Sequence, residues 1–244
     1  MNKSIINKTC IVLLFITMLF ANLFMAIAQP QGASFISTST DNVSISSASL
    51  TTAGGSFTTL ILNVTQQNPR WKAYVGNVTG SLTLDDSNNF TIYNWNLATI
   101  SGEVYTSRNS SLNWANVACA DSSIVIGEDI SLNLTSSKVD SINRTFVNTS
   151  RIHKRFYVGT TLITNSTCRA ITTYVNDTAQ TVSEDASFQE VLLQDGSNLV
   201  YATLLEQDAE GYSDGKTFDF QMIVAEDEYL ETPTTYYFYA EISD

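Results

Sequence analysis

The stretch AYVGNVTGSLTLDDSNNFTIYNW, residues Ala73 to Trp95, alternates with a period of two. Tyr74, Gly76, Val78, Gly80, Leu82 and Leu84 fall on one side, and Asn77, Thr79, Ser81, Thr83 and Asp85 on the other. That pattern predicts a half-buried strand, because successive side chains of an extended chain point to opposite faces. Asp85-Asp86-Ser87-Asn88 supplies turn chemistry, and the chain returns with Phe90 and Ile92 expected inward and Asn89 and Thr91 outward.

The same pattern recurs along the chain. Ser44–Leu50, Phe57–Val64, Ile100–Tyr105, Phe156–Ile163, Ala170–Val175, Phe188–Leu193, Leu199–Leu205, Phe218–Val224 and Thr235–Ile242 all read as strands. Asp195-Gly196-Ser197-Asn198 marks a hairpin between two of them. The one helical spacing is short, Val139, Ile142 and Phe146. About ten strands divided by polar turns predict an all-β, antiparallel β-sandwich or jelly-roll-like fold, with residues 29–244 as a single extracellular domain.

Residues 1–28 have the layout of a secretory signal peptide. Lys3 and Lys8 precede an apolar run, and Ala26-Ile27-Ala28 offers a small-x-small cleavage site before Gln29. The apolar run is also long enough for an uncleaved membrane anchor, the one route by which this chain would touch a membrane. Either way, the expected location is secreted or at the cell surface. Cys119 and Cys168 are the two cysteines after this segment, and an oxidising compartment predicts one disulfide between them; two buried free thiols are the alternative.

The formal net charge of −12 is unevenly spread. Residues 29–178 carry nine acidic and nine basic groups, whereas residues 179–244 carry fifteen acidic groups against Lys216 alone. Such a surface repels nucleic acid. It suits docking onto a basic patch, and Arg151, His153, Lys154 and Arg155 form one.

Triplets N-x-S/T with x other than proline begin at Asn42, Asn63, Asn77, Asn89, Asn109, Asn133, Asn143, Asn148, Asn165 and Asn176. After residue 28 there are seventeen asparagines, and Ser and Thr fill 55 of 216 positions, so chance would place about four triplets rather than ten. The excess predicts multiple N-glycosylation of an exported chain. None of the ten lies beyond Thr178. The acidic, aromatic C-terminal segment, with Tyr236-Tyr237-Phe238-Tyr239, is therefore expected to combine core strands with a sugar-free contact face.

Catalytic signatures are missing from the sequence. The single histidine, His153, is expected on the surface of a basic loop, and no nucleophile elbow, zinc-protease motif or phosphate-binding loop occurs. No cofactor and no enzymatic activity are expected. A carboxylate-based hydrolase would require two carboxylates facing each other across a cleft. Asp208, Glu210 and Asp214 offer hard oxygen ligands in a glycine-containing loop, a candidate Ca²⁺ site without the EF-hand spacing. Trp71, Trp95 and Trp114 are either core residues or platforms for a sugar.

The runs WKAYVGNVTGSLTLDD (71–86), SGEVYTSR (101–108) and FDFQMIVAEDEYLETPTTYYFY (218–239) resemble stretches of predicted archaeal cell-surface or secreted β-rich proteins. The resemblance implies an exported protein glycosylated at these triplets and carries over no activity or site residue. The expected function is a structural or interaction protein of the cell exterior, such as a filament, S-layer-associated or adhesive subunit. Its partners would be other copies of itself or cell-surface proteins. In that scheme residues 29–50 form a detachable N-terminal strand segment, and the basic patch meets the acidic C-terminal segment of a neighbour. A secreted carbohydrate- or ligand-binding module is the alternative, and a hydrolase a third reading.

Overall fold

The computed structural model describes residues 29–42, 49–63, 66–95, 97, 99–227, 229 and 233–243. The expected signal peptide and most of the expected strand Ser44–Leu50 lie outside them. Strands β1 (Gln31–Gly32), β2 (Trp71–Gly76), β3 (Leu82–Asp85), β4 (Thr91–Trp95), β5 (Ser101–Ser107) and β6 (Ala118–Cys119) precede two helices, α1 (Ser122–Ser131) and α2 (Ile142–Thr145). Then come β7 (Phe156–Val158), β8 (Thr161–Ile163), β9 (Ala170–Thr172), β10 (Gln189–Gln194) and β11 (Leu199–Leu204). The chain closes with β12 (Ala209–Glu210), β13 (Thr217–Phe218), β14 (Phe220–Ala225) and β15 (Tyr237–Ser243). The fold is all-β and antiparallel.

Seven strands form one sheet in the order β1-β15-β5-β11-β10-β6, with β9 also paired to β10. Its centre is the β10–β11 hairpin, in which every residue from Gln189 to Leu193 and from Leu199 to Leu204 is buried. Both faces of this hairpin are covered, so VLL and LVYATL read as continuous runs rather than alternating ones. Leu192, Leu199 and Tyr201 pack on one face with Met222, Val224, Val125, Leu132 and Phe146. Val191, Leu193, Val200 and Ala202 pack on the other with Tyr105, Phe156, Val158 and Ile163. The covering layers are thus β14, β2 and the helices on one side, and the β7–β8 hairpin on the other.

Several elements depart from the sequence expectation. The run Tyr74–Asp85 is two strands. β2 pairs with β14, and β3 with β4. Asp219 makes the break: its carboxylate accepts from Val78 N at 2.8 Å while its own N–H donates to the Gly76 carbonyl at 3.0 Å. Asn77 and Asn89 therefore do not share a face of one hairpin. Asn77 follows the end of β2, and Asn89 lies in the β3–β4 turn with φ 63°. Phe90 and Ile92, expected inward, are exposed, because the described residues leave that side of the β3–β4 ribbon uncovered. Phe156–Ile163 is a hairpin rather than one strand, turned at Gly159 with φ 57°. Residues 57–63, expected as a strand, form none and are exposed.

Helix α1 is the element the sequence hid. Its buried positions Val125, Asp129 and the following Leu132 are spaced for one helical face, but the middle one is a carboxylate and reads as polar. Asp129 is there for a reason. It accepts from Ile142 N at 2.8 Å and Asn143 N at 3.2 Å, capping α2. Asp121 caps α1 in the same way, through Ser123 N and Ile124 N.

Cys119 and Cys168 are bonded, with Cα atoms 4.9 Å apart and a sequence separation of 49. The bond ties β6 to the segment entering β9, both beside β10. Closing a loop of this length removes chain entropy worth about 4 kcal/mol from the unfolded state. The double variant Cys119→Ser/Cys168→Ser is accordingly expected to lose about that much unfolding free energy in guanidinium titrations.

Candidate functional site

β5 and β15 are antiparallel, and their register sets Glu103 directly opposite Glu241. Like charges in that position repel, so the pair is not a product of strand stability. Gly102 keeps the two strands this close. At φ 127° a side chain there would place its Cβ 2.0 Å from the Glu241 carbonyl oxygen. Glu103 is 8% exposed. The Tyr105 hydroxyl lies 3.4 Å from Glu103 Oε2, from Glu241 Oε2 and from the Tyr157 carbonyl. The N–H of Gly159 donates to both carboxylate oxygens of Glu241, at 2.9 and 3.1 Å.

Burial first, and then the charge of Glu241, push the Glu103 carboxyl up to about 8, with the Tyr105 hydroxyl opposing. Glu103 is therefore neutral at pH 7 and can donate a hydrogen bond. Burial also holds Tyr105 well above the ordinary phenol value, so its hydroxyl keeps its proton. Glu103, Glu241 and Gly159 line a cleft of about 440 Å³ whose other walls include Lys154–Tyr157, Leu204, Leu205 and Glu206. Lys154 Nζ reaches Glu206 Oε1 at 2.9 Å.

No family model, curated protein or solved structure matches the chain.

The cleft brings together residues that sequence reasoning did not single out. Glu103 shares its strand parity with Tyr105, and Glu241 shares that of Tyr239. That much was legible, but the pairing of β5 with β15 across more than 130 residues was not. The two carboxylates stand on directly opposed residues of neighbouring strands, and the Tyr105 hydroxyl lies 3.4 Å from both.

The basic patch is corrected in one respect. His153 is fully buried rather than on the surface. Its Nε2 accepts from Thr167 N at 3.1 Å and Cys168 N at 3.0 Å, and its Nδ1 meets the Lys154 carbonyl at 2.6 Å. Only the neutral ring protonated at Nδ1 satisfies all three, and burial lowers its pKa accordingly. The sequence places His153 among cations; the fold uses it to hold the backbone at the disulfide. Arg151 and Arg155 remain exposed, while Lys154 is half-buried in its ion pair.

The other expected residues fall as follows. Asp208 and Asp214 are exposed, and Glu210 is exposed within the β12–β13 ribbon. Among the described residues no three His, Cys, Asp or Glu side chains converge on one point, these included. Trp71 packs near Phe146 and donates to the Asp140 carbonyl, and Trp114 lies between Tyr105 and Tyr239, so both belong to the body. Trp95 is exposed beside Tyr93 on the β3–β4 ribbon.

Of the ten triplet asparagines, Asn42, Asn63, Asn77, Asn89, Asn133, Asn148, Asn165 and Asn176 are exposed. Asn109 and Asn143 are half-buried, with Nδ2 donating to Asn198 Oδ1 and to the Ser136 carbonyl respectively. Asn143 Oδ1 also accepts from buried Arg169. Peptide mass spectrometry of the native protein is expected to find glycan at the exposed eight and unmodified Asn109 and Asn143.

His153 generates a pH prediction. Its pKa is lowered on folding, so its contribution is complete above the unfolded value near 6.5 and is lost as pH falls below it. Relative to His153→Gln, wild-type stability should fall on acidification below about pH 6.5, by at most about 1.4 kcal/mol per pH unit. Parallel pH curves for the two proteins would contradict this role.

Proposed function

We propose that the protein is an exported, N-glycosylated structural or interaction subunit of the cell exterior, a filament, surface-layer-associated or adhesive component that works by assembly. One observation carries this reading. Phe35, Ile36, Leu50, Phe57, Leu60, Ile61 and Leu62 are all exposed, and the described residues between Ala33 and Asn63 form no strand. Phe57 is 95% exposed and Ile61 97%. So much exposed β-prone apolar chain suits burial against another surface.

A place for such a segment exists on the same molecule. β15 is seven residues long, and among the described residues its outer edge pairs with Gln31 and Gly32 of β1, followed by one bond from Ala33 N to the Phe238 carbonyl. The N-terminal segment thus begins as a strand on its own sheet and then leaves it. An edge covered over so short a length accepts another chain by strand addition, and a donor segment on one copy with an acceptor edge on the next makes a head-to-tail contact that can propagate. Exposed triplet asparagines and the disulfide fit an exported chain.

Sedimentation of residues 29–244 across a range of concentrations tests this reading. The expected result is concentration-dependent oligomers that the variant Phe57→Ser/Leu60→Ser/Leu62→Ser loses while keeping its near-ultraviolet circular dichroism. A wild-type chain that stays monomeric at every concentration and salt, or a variant that assembles equally well, would refute it.

A further inference from the structure

We propose that the cleft between β5, β15 and the β7–β8 hairpin binds a neutral polyhydroxylated ligand, a saccharide ring, through Glu103, Glu241 and Tyr157. This inference does not rest on assembly, since the cleft lies away from the exposed segment of residues 57–63 in sequence and requires only one copy.

The charge of the lining selects a neutral ligand. Lys154 is paired with Glu206, Arg155 stands at the mouth, and Glu103 faces Glu241 across the strand pair. A free anion would meet the glutamates, and a free cation would meet Lys154 and Arg155. A hydroxyl suits every group present, because it donates to a carboxylate and accepts from a carboxyl or an ammonium.

The polar wall is also incomplete without a ligand. Glu103 is 8% exposed and lines the cleft, yet among the described residues its carboxyl is approached by Tyr105 Oη at 3.4 Å, a long contact for a buried carboxyl. That hydroxyl has one proton for three acceptors at the same distance. A buried carboxyl served this thinly is costly, and a ligand hydroxyl would relieve it. Leu204, Leu205, Phe156 and the half-exposed ring of Tyr157 supply the apolar surface for the C–H face of a sugar. The volume of about 440 Å³ falls in the ~300–1,000 Å³ range of small-molecule sites.

The geometry favours binding over hydrolysis. Glycoside-cleaving carboxylates flank the bond they act on, whereas Glu103 and Glu241 stand on directly opposed residues of neighbouring strands with the Tyr105 hydroxyl 3.4 Å from both. Protonation controls the site. Glu103 donates while neutral, and its ionisation on passing about pH 8 removes that donor and sets two charges side by side. The groups facing Glu103 are Tyr105 on its own strand, Glu241 on β15, Tyr157 on β7, and Lys154, Arg155 and Glu206 around the mouth.

The test is a glycan microarray probed with residues 29–244 made without glycans, so that no sugar of its own competes. Neutral oligosaccharides are expected to be retained over sulfated or sialylated ones. The best-retained oligosaccharide is then titrated by NMR. Tyr157→Ala, an exposed position whose loss leaves the core intact, should weaken binding by about tenfold. Wild-type affinity should fall between about pH 6.5 and pH 9, and Glu103→Gln should bind at both. Retention of charged glycans only, no retention of any glycan, unchanged affinity in Tyr157→Ala, or a pH-independent wild type would each overturn the proposal.

Discussion

Burial of the β10–β11 hairpin on both faces is the constraint from which the rest of the structure follows. A hairpin with no solvent face must satisfy its backbone within the sheet, and it does so through β5 and β9 on either side. It also has to be covered twice, which a single sheet cannot do. The chain answers with two layers of different construction. One side takes β14 and the helices, and the other takes the short β7–β8 hairpin and Trp114.

Polar side chains fix where those layers sit. Glu190, fully buried and with its carboxyl pushed well above the ordinary range by that burial, accepts from Ile223 N at 2.9 Å, and Thr203 Oγ1 donates to the Gln221 carbonyl at 3.0 Å. Together they place β14 on the hairpin. Arg169, also buried, binds Asn143 Oδ1, the Phe146 carbonyl and Ser122 Oγ, joining both helices to the segment entering β9, where its own carbonyl accepts from Leu192 N at 2.9 Å. On the opposite side, Gln189 Oε1 accepts from Lys154 N, and His153 holds the backbone at Cys168. Apolar burial drives the layers together, but it has no direction; these bonds give each layer one position.

This division explains what could be read from sequence. Strand class was legible wherever apolar runs were long, because Val191–Leu193 and Leu199–Leu204 carry little else. The disulfide was legible because two cysteines allow one pairing. What stayed hidden were the places where a polar group does a core residue's work. Asp129 interrupted the helical stripe of α1, His153 looked like part of a basic loop, and Asp219 broke a strand that alternates without a flaw through Gly76 and Val78. The Glu103–Glu241 pair was hidden for another reason. Each residue lies on a strand with an unremarkable pattern, and only the register between distant strands joins them.

The same accounting changes the meaning of the acidic C-terminal segment. Fifteen carboxylates suggest a surface built for a basic partner, yet Glu190, Asp195, Asp219, Glu226 and Asp227 are buried. Asp195 accepts from Ser197, Asn198 and Asn113 N–H groups, Asp219 from Val78 and Asp208, and Asp227 from Tyr229. Glu226 meets Lys72 and Thr234. These are acceptors for turn and strand-end backbone, not charges presented to solvent. The field reaching a neighbour is weaker than the net charge implies, and the basic patch, with His153 buried and Lys154 paired, is weaker too. In the proposed assembly, electrostatic steering would orient two copies, and burial of the exposed apolar segment, at about 25 cal/mol per Å² removed from water, would be the larger force holding them.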